Sequence, residues 1–234
     1  MFTVKDIQLD YMDKAEGVVR FPTISWVIDT DEQVFVQTGY ELEAAADPAF
    51  QKLLWSSGRQ LSAQSVGITV DCDVVSACRY FVRVRVQYGD NWSDWSMAKS
   101  FFTGLVANEW QQIFISAETE TDAADSRGTC LRHTFELSKP VAQAYAYTTA
   151  LGLYQFFLNG KKVGCDELTP GWTAYDKRLS YQAYDVTEQL KAGKNVMGAQ
   201  LGAGWYKGMM TFEHQRNFYG RQTAFLAELH VRYT

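Results

Sequence analysis

Arg79 to Tyr88 reads RYFVRVRVQY, and its alternation decides the fold class. Tyr80, Val82, Val84, Val86 and Tyr88 fall on one face of an extended chain, and Arg79, Phe81, Arg83, Arg85 and Gln87 on the other. A period of two with one apolar face belongs to a strand that covers a core on one side and meets water on the other. Similar patterns recur along the chain with turn signals every ten residues or so, which predicts an all-β protein of antiparallel sandwiches. Gln33 to Leu42 reads as another strand, with Val34, Val36, Thr38, Tyr40 and Leu42 on one face. Helix is expected in only two short turns, Asp47 to Leu54 and Thr187 to Lys191, the second capped by Asp185 or Thr187 and stopped by Gly193.

Just beyond this strand, Trp92-Ser93-Asp94-Trp95-Ser96 spaces two indoles so that the guanidinium groups of Arg83 and Arg85 can stack between them. Such a ladder stiffens a sheet face whatever the function. It also marks cytokine-receptor fibronectin domains, so a receptor-like protein-interaction module is one alternative. The receptor-type cysteine pairs are missing, however.

The first set of strands closes with KSFFTGL, and a boundary is expected near Gly104 to Asn108. This gives a fibronectin III/Ig-like sandwich over residues 1–105 and a jelly-roll-like sandwich over 106–234. In the second part, strands are expected at Cys130 to Leu137, Val141 to Thr149, Tyr154 to Leu158, Leu179 to Thr187, Asn195 to Leu201 and Gln222 to Tyr233. Ala142, Ala144 and Ala146 form a small-residue face suited to close sheet packing. Asn159-Gly160 is a two-residue hairpin signal, because both residues tolerate positive φ. The sequence stops on what reads as an inner strand, which suggests a domain whose last strands are missing.

The totals narrow the function. The chain has 234 residues, 47% apolar, 15% aromatic and 21% charged, with a net charge of −5. Lys and Arg are scattered and leave no basic stripe for phosphates, which argues against nucleic acid. No apolar run is long enough to span a membrane. The N-terminus lacks the apolar core of a signal peptide, which points to a cytoplasmic protein, with export left open. Cys72, Cys78, Cys130 and Cys165 form no C-x-x-C pair, and His133, His214 and His230 show no metal-ligand spacing. They read as free thiols, with a Cys72–Cys78 disulfide in an exported protein as the alternative. Neither a Ser-His-Asp order nor a P-loop occurs. GAGWYKG (Gly202 to Gly208) is expected to lack the helix that would make its glycines a phosphate cradle.

Asn159 to Tyr184 crowds acids, a Pro-Gly turn and aromatics into one segment. Trp172, Tyr175, Trp205 and Tyr206 are the candidate sugar-stacking residues, with Asp166, Glu167 and Asn159 as polar partners. Rings stack on the apolar face of a pyranose while carboxylates and amides take its hydroxyls. Packing at an interface with a further domain is the competing explanation for the same rings. Lys161, Lys162, Lys177 and Arg178 read as solvated turn charges.

The ordered blocks YTTALGLYQFFLNGKKVG, DELTPGWTAYDKRLSYQAYDVT, LGAGWYKG and RQTAFLAELHVRY resemble the N-terminal β-sandwich of bacterial α-L-rhamnosidases. The first half, with LLWSSG, YFVRVRVQY, WSDWS and FFTGL, is similar to the fibronectin-like domain that often opens those enzymes. The resemblance implies a hydrolase whose carboxylates sit in a later (α/α)6 barrel, the remainder of the same chain. Hydrolysis with inversion needs two carboxyl groups about 6.5–9.5 Å apart. Asp166 and Glu167 are adjacent on a turn and would diverge, so no catalytic residue is expected here. Some sandwiches of this type hold rhamnose through calcium near the loop after Val163-Gly164. Here Cys165 stands where an oxygen ligand would help, so no cofactor and no metal ligand are expected, with calcium on the remaining oxygen donors Asp166 and Glu167 as the alternative. The expected role is the non-catalytic N-terminal part of an α-L-rhamnosidase, with its own barrel and rhamnose-containing carbohydrate as partners. A stand-alone carbohydrate-binding module is the other alternative.

Overall fold

The computed structural model describes residues 1–234 except 13, 107–108, 118–126 and 211; residues 107–108 of the expected boundary thus lie outside the described ones. The chain divides into two compact units, Met1–Glu109 and Trp110–Thr234. Both are β-structured. Among the described residues, no helix is long and apolar enough to cross a membrane.

Among the described residues, unit 1 holds eight strands: β1 (Phe2–Leu9), β2 (Glu16–Val18), β3 (Ile24–Thr30), β4 (Gly39–Ala45), β5 (Leu53–Ser56), β6 (Arg79–Tyr88), β7 (Asn91–Trp92) and β8 (Lys99–Thr103). β1 and β3 pair as one sheet, while the other runs β2-β8-β6-β4-β5, with β7 on β6. The inward residues of both sheets share one core: Ile7, Leu9, Ile24 and Trp26 face Tyr40, Leu42, Tyr80, Val82, Val84 and Val86. The alternation of β6 thus does what its sequence requires. Val82, Val84 and Val86 have no exposure, and the arginines lie on the outer face.

On that outer face the stack is longer than the sequence suggested. The Arg83 guanidinium lies 4.4 Å from the Trp95 ring and 4.2 Å from Phe50. Arg85 lies 4.7 Å from Trp95 and 5.2 Å from Trp92, and Arg59 reaches the same Trp92 ring at 5.4 Å. Directly across the sheet, Glu43 and Glu41 oppose Arg83 and Arg85 and accept their Nε hydrogens at 2.8 and 2.9 Å. The serines of the motif complete it, for Ser93 Oγ and Ser96 Oγ accept the amides of Val86 and Val84, both at 3.1 Å.

Two expectations fail here for local reasons. Val34 and Val36 lie outside any strand and are exposed, and β4 starts only at Gly39. Gln37 is instead buried as a polar clamp. It accepts from the Trp26 indole at 3.0 Å and donates to the Gln64 and Ser62 carbonyls at 2.8 and 3.2 Å. No helix forms over Asp47 to Leu54 either. The Asp47 carboxylate accepts the amides of Ala49, Gln51 and Lys52, which holds its pKa below the ordinary value. That alternative to helical bonding leads through Phe50 at φ 56 into β5.

Unit 2 has β9 (Thr129–Leu137), β10 (Val141–Leu151), β11 (Leu153–Leu158), β12 (Lys161–Lys162), β13 (Gln182–Asp185), β14 (Gly193–Gly202) and β15 (Ala224–Tyr233). A sheet β13-β10-β15 faces a sheet β12-β11-β14-β9. Ala144, Ala146 and Ala150 of the first meet Tyr154, Phe156, Leu158, Ala199 and Leu201 of the second in one core. Ala142, expected on the same face, is exposed at the end of β10. The hairpin closes at Asn159 and Gly160, with φ 49 and 81. Thr187–Gln189 forms a single 3-10 turn, and the Asp185 carboxylate accepts the Thr187 amide at 3.0 Å. GAGWYKG does contain a helix, against expectation, but it is one turn, α1 (Gly204–Lys207).

All four cysteines are free thiols, so the Cys72–Cys78 alternative is not realised. Burial, then the negative charges of Asp73 and Asp71, pushes the Cys72 thiol up.

Candidate functional site

The loop between β12 and β13 and the turn of α1 after β14 together position the aromatic candidates. The first loop is tied down at successive points. Thr169 exchanges bonds with Tyr154, giving its carbonyl to the Tyr154 amide at 2.9 Å and its hydroxyl to the Tyr154 carbonyl at 2.6 Å. A cis peptide joins Thr169 to Pro170, whose carbonyl accepts from Gln182 Nε2 at 3.3 Å. Gly171, at φ 95, turns the chain outward, and its carbonyl accepts the Tyr175 hydroxyl at 3.1 Å. Trp172 follows directly.

β14 runs beside β11, with Gly202 opposite Leu153, so α1 emerges from the same end of that sheet. A Cβ on Gly204 would meet the Leu153 side chain at 2.5 Å, and this close approach sets the turn against β11. The result brings four of the seven candidates together. Trp172 and Trp205 lie parallel, with centroids 5.9 Å apart and planes 7° apart. Tyr175 meets Tyr206 edge-on at 5.3 Å. Trp172 remains 57% exposed, while Trp205, Tyr175 and Tyr206 are half-buried. Burial raises the hydroxyl pKa of Tyr175 and Tyr206 above the ordinary value, with the Tyr219 hydroxyl adding to the effect at Tyr175.

Two further rings escaped the sequence reading. Tyr219 packs 5.0 Å from Tyr175, and Phe218 packs 4.8 Å from Tyr219. Their loop is clamped back onto α1, as the amides of Asn217 and Tyr219 donate to the carbonyls of Lys207 and Tyr206. A Cβ on Gly220 would strike the Tyr206 hydroxyl at 2.3 Å. That glycine in NFYG was the available signal.

The polar candidates separate from the rings to different degrees. Glu167 pairs with Lys162 and accepts from Gln155 Nε2 at 3.4 Å, and the lysine holds its carboxyl below the usual range. With Leu168, Gln155, Gln200 and Gly202, Glu167 borders a cleft of about 330 Å³. Leu168 and Gly202 each lead within a few residues to one of the two indoles. Asp166 is not among the residues lining this cleft and accepts the Tyr184 hydroxyl at 3.1 Å. That hydroxyl adjoins the buried Tyr154 hydroxyl, which lies 2.7 Å from both Thr148 Oγ1 and Gln182 Oε1. Burial pushes Tyr154 up to about 12 and drives Tyr184 upward as well.

Asn159 follows the opposite end of β11 from Leu153, roughly 20 Å away along the strand direction. Its amide is spent on the hairpin, donating to the Gln189 carbonyl and Asn195 Oδ1 and accepting from the Val196 amide. The structure therefore does not bring it to the aromatic group. No cluster of three or more His, Cys, Asp or Glu side chains with metal-binding geometry occurs among the described residues. Lys177 contacts Asp176 loosely at 3.8 Å, and both are exposed.

Comparison with known proteins places both units. Residues 4–107 match the Rha78A-like N-terminal immunoglobulin domain, and residues 139–234 match the α-L-rhamnosidase N-terminal domain. An α-L-rhamnosidase from Formosa agariphila is 35% identical over 202 residues, which is 81% of this chain and 22% of that protein. The crystal structure of an α-L-rhamnosidase from Aspergillus terreus superposes on all of this chain and 28% of its own, with TM-score 0.89 and 29% identity. That of Streptomyces avermitilis α-L-rhamnosidase complexed with L-rhamnose shares the fold over all of this chain and 39% of its own, with TM-score 0.91 and 21% identity. The chain thus spans about a fifth of the curated relative and less than half of either crystallised chain. Its two units are an N-terminal Ig-like domain and a rhamnosidase N-terminal domain, and the chain belongs to the non-catalytic N-terminal region of the α-L-rhamnosidases.

Proposed function

We propose that this chain serves as the front end of an enzyme that cleaves terminal α-L-rhamnosides, where unit 2 supports the catalytic barrel and contacts carbohydrate through Trp172 and Trp205. One observation carries the contact role: two parallel indoles on tied-down backbone, one of them 57% exposed. A ring spent on packing alone inside unit 2 would be covered. An indole fixed in place and left open offers an apolar face to a sugar at little entropic cost. Neither indole lines the cleft bordered by Leu168 and Gly202, which holds what hydroxyls need, namely the Glu167 carboxylate and the Gln155 and Gln200 amides.

Calorimetric titration of the chain with L-rhamnose, with and without calcium, tests the proposal. The expected result is binding that weakens about tenfold or more in Trp205→Ala, equivalent to about 1.4 kcal/mol. Absence of heat with rhamnose and rhamnose-containing oligosaccharides would remove the contact role and leave only support of the barrel.

A further inference from the structure

Tyr175 stands where the two segments that carry the indoles meet. It follows Trp172 on the same loop, and its ring packs edge-on 5.3 Å from Tyr206, the chain neighbour of Trp205. Tyr219 closes on the same ring at 5.0 Å, with planes 58° apart. Two rings thus flank Tyr175, and it is half-buried, so it has little open face to offer a sugar. Its hydroxyl is committed as well, donating at 3.1 Å to the carbonyl of Gly171, the residue before Trp172.

The backbone under this ring is fixed. The Ala174 carbonyl accepts the amides of Lys177 and Arg178 at 2.8 and 2.9 Å, and Thr173 Oγ1 donates to the Arg178 carbonyl, which closes a tight turn around Tyr175. On the other segment, the Tyr219 amide donates to the Tyr206 carbonyl at 3.3 Å, so both flanking rings belong to one clamped piece. Tyr175 therefore holds each side by a different means: a hydrogen bond to the backbone that leads into Trp172, and ring packing against the segment that carries Trp205. The bond matters because Gly171, at φ 95, has no side chain to restrain its own backbone. A contact group keeps its geometry only when its supports are locked in this way.

We propose that Tyr175 is a positioning residue, the clasp that sets the Trp172 indole parallel to that of Trp205. The inference rests on the reading of that pair as the sugar contact, and two measurements on the full chain test it. The first needs no ligand. The indole N–H resonance of Trp172, identified by its loss in Trp172→Phe, is followed in Tyr175→Phe, which keeps the ring and loses the bond to Gly171. It is expected to move toward the position it takes in Trp205→Ala. A merely structural tyrosine would lower the melting temperature and leave this resonance in place below the melt, and that result would overturn the proposal. Should Tyr175→Phe fail to fold, Tyr219→Leu, which removes a flanking ring and leaves the hydroxyl bond, carries the same comparison. The second measurement is titration with L-rhamnose, whose Kd is expected to rise about threefold in Tyr175→Phe, the size of one lost hydrogen bond. Rhamnose binding by the unmodified chain with the same Kd in Tyr175→Phe would overturn the proposal. No binding by the unmodified chain would remove the sugar reading, and the Trp172 resonance would then decide the positioning role by itself.

Discussion

Replacing Trp95 by alanine removes the central rung of the stack on unit 1, and the structure sets the size of the effect. Its indole serves two guanidinium groups, Arg83 at 4.4 Å and Arg85 at 4.7 Å. Each contact at a half-exposed site contributes about 0.5–1 kcal/mol, so about 1–2 kcal/mol is lost through the cations. The ring is half-buried, and full burial of a large apolar side chain is worth about 1.5–3 kcal/mol, so about 1 kcal/mol more follows from lost packing. The expected cost is about 2–3 kcal/mol. Arg83 and Arg85 keep Glu43 and Glu41, so no unpaired charge inflates the number. Urea unfolding of the full chain followed by circular dichroism measures it, with unit 1 as the affected transition. Trp95→Phe, which keeps a ring, is expected to lose about half as much. A loss below about 0.5 kcal/mol, or equal losses in the Phe and Ala variants, would refute the stacking argument.

Other perturbations probe unit 2. Tyr154→Phe leaves Thr148 and Gln182 without the hydroxyl between them and is expected to cost about 1–3 kcal/mol by thermal unfolding. Because the fold raises the Tyr154 pKa to about 12 from 10.0, the native state holds the proton longer than the unfolded one. Stability should therefore be unaffected by this group below pH 10, and this group should lower it between pH 10 and 12 by up to about 1.4 kcal/mol per pH unit; a pH titration of the melting temperature checks this, and Tyr154→Phe should make the fall shallower while the other raised tyrosines keep part of it. Glu228 is buried, and its carboxylate accepts the amides of Gln111 and Gln112 while facing His230 Nε2 at 3.2 Å. Glu228→Ala should cost about 1–3 kcal/mol and should release hydrogen-exchange protection at those two amides first.

Those features differ in how far the sequence reveals them. β6 was legible because one strand carries both the apolar face and the arginines, and its bounds follow from the alternation. The Asn159-Gly160 turn was legible because its chemistry is local. Val34 and Val36 misled, since their pattern continues that of Tyr40 and Leu42, whereas Gln37 forms bonds to Trp26, Ser62 and Gln64 that no period can show. Asp47 misled in the same way, by offering the backbone three acceptor bonds in place of a helix. At the candidate site, residue type pointed to Trp172 and Trp205, although they are distant in sequence. Asn159 was grouped with them by sequence proximity, and β11 carries it to the far end of the sheet. Tyr219 and Phe218 join the rings through a clamped loop whose path depends on Gly220 giving way to Tyr206.

The most direct measurement is a heteronuclear spectrum of the seven tryptophan indole N–H groups during titration with L-rhamnose. The resonances of Trp172 and Trp205 should shift saturably with one dissociation constant, while those of Trp26, Trp55, Trp92, Trp95 and Trp110 stay in place. Saturable shifts confined to those five, or no shift at any indole, would contradict the assignment of sugar contact to the Trp172–Trp205 pair.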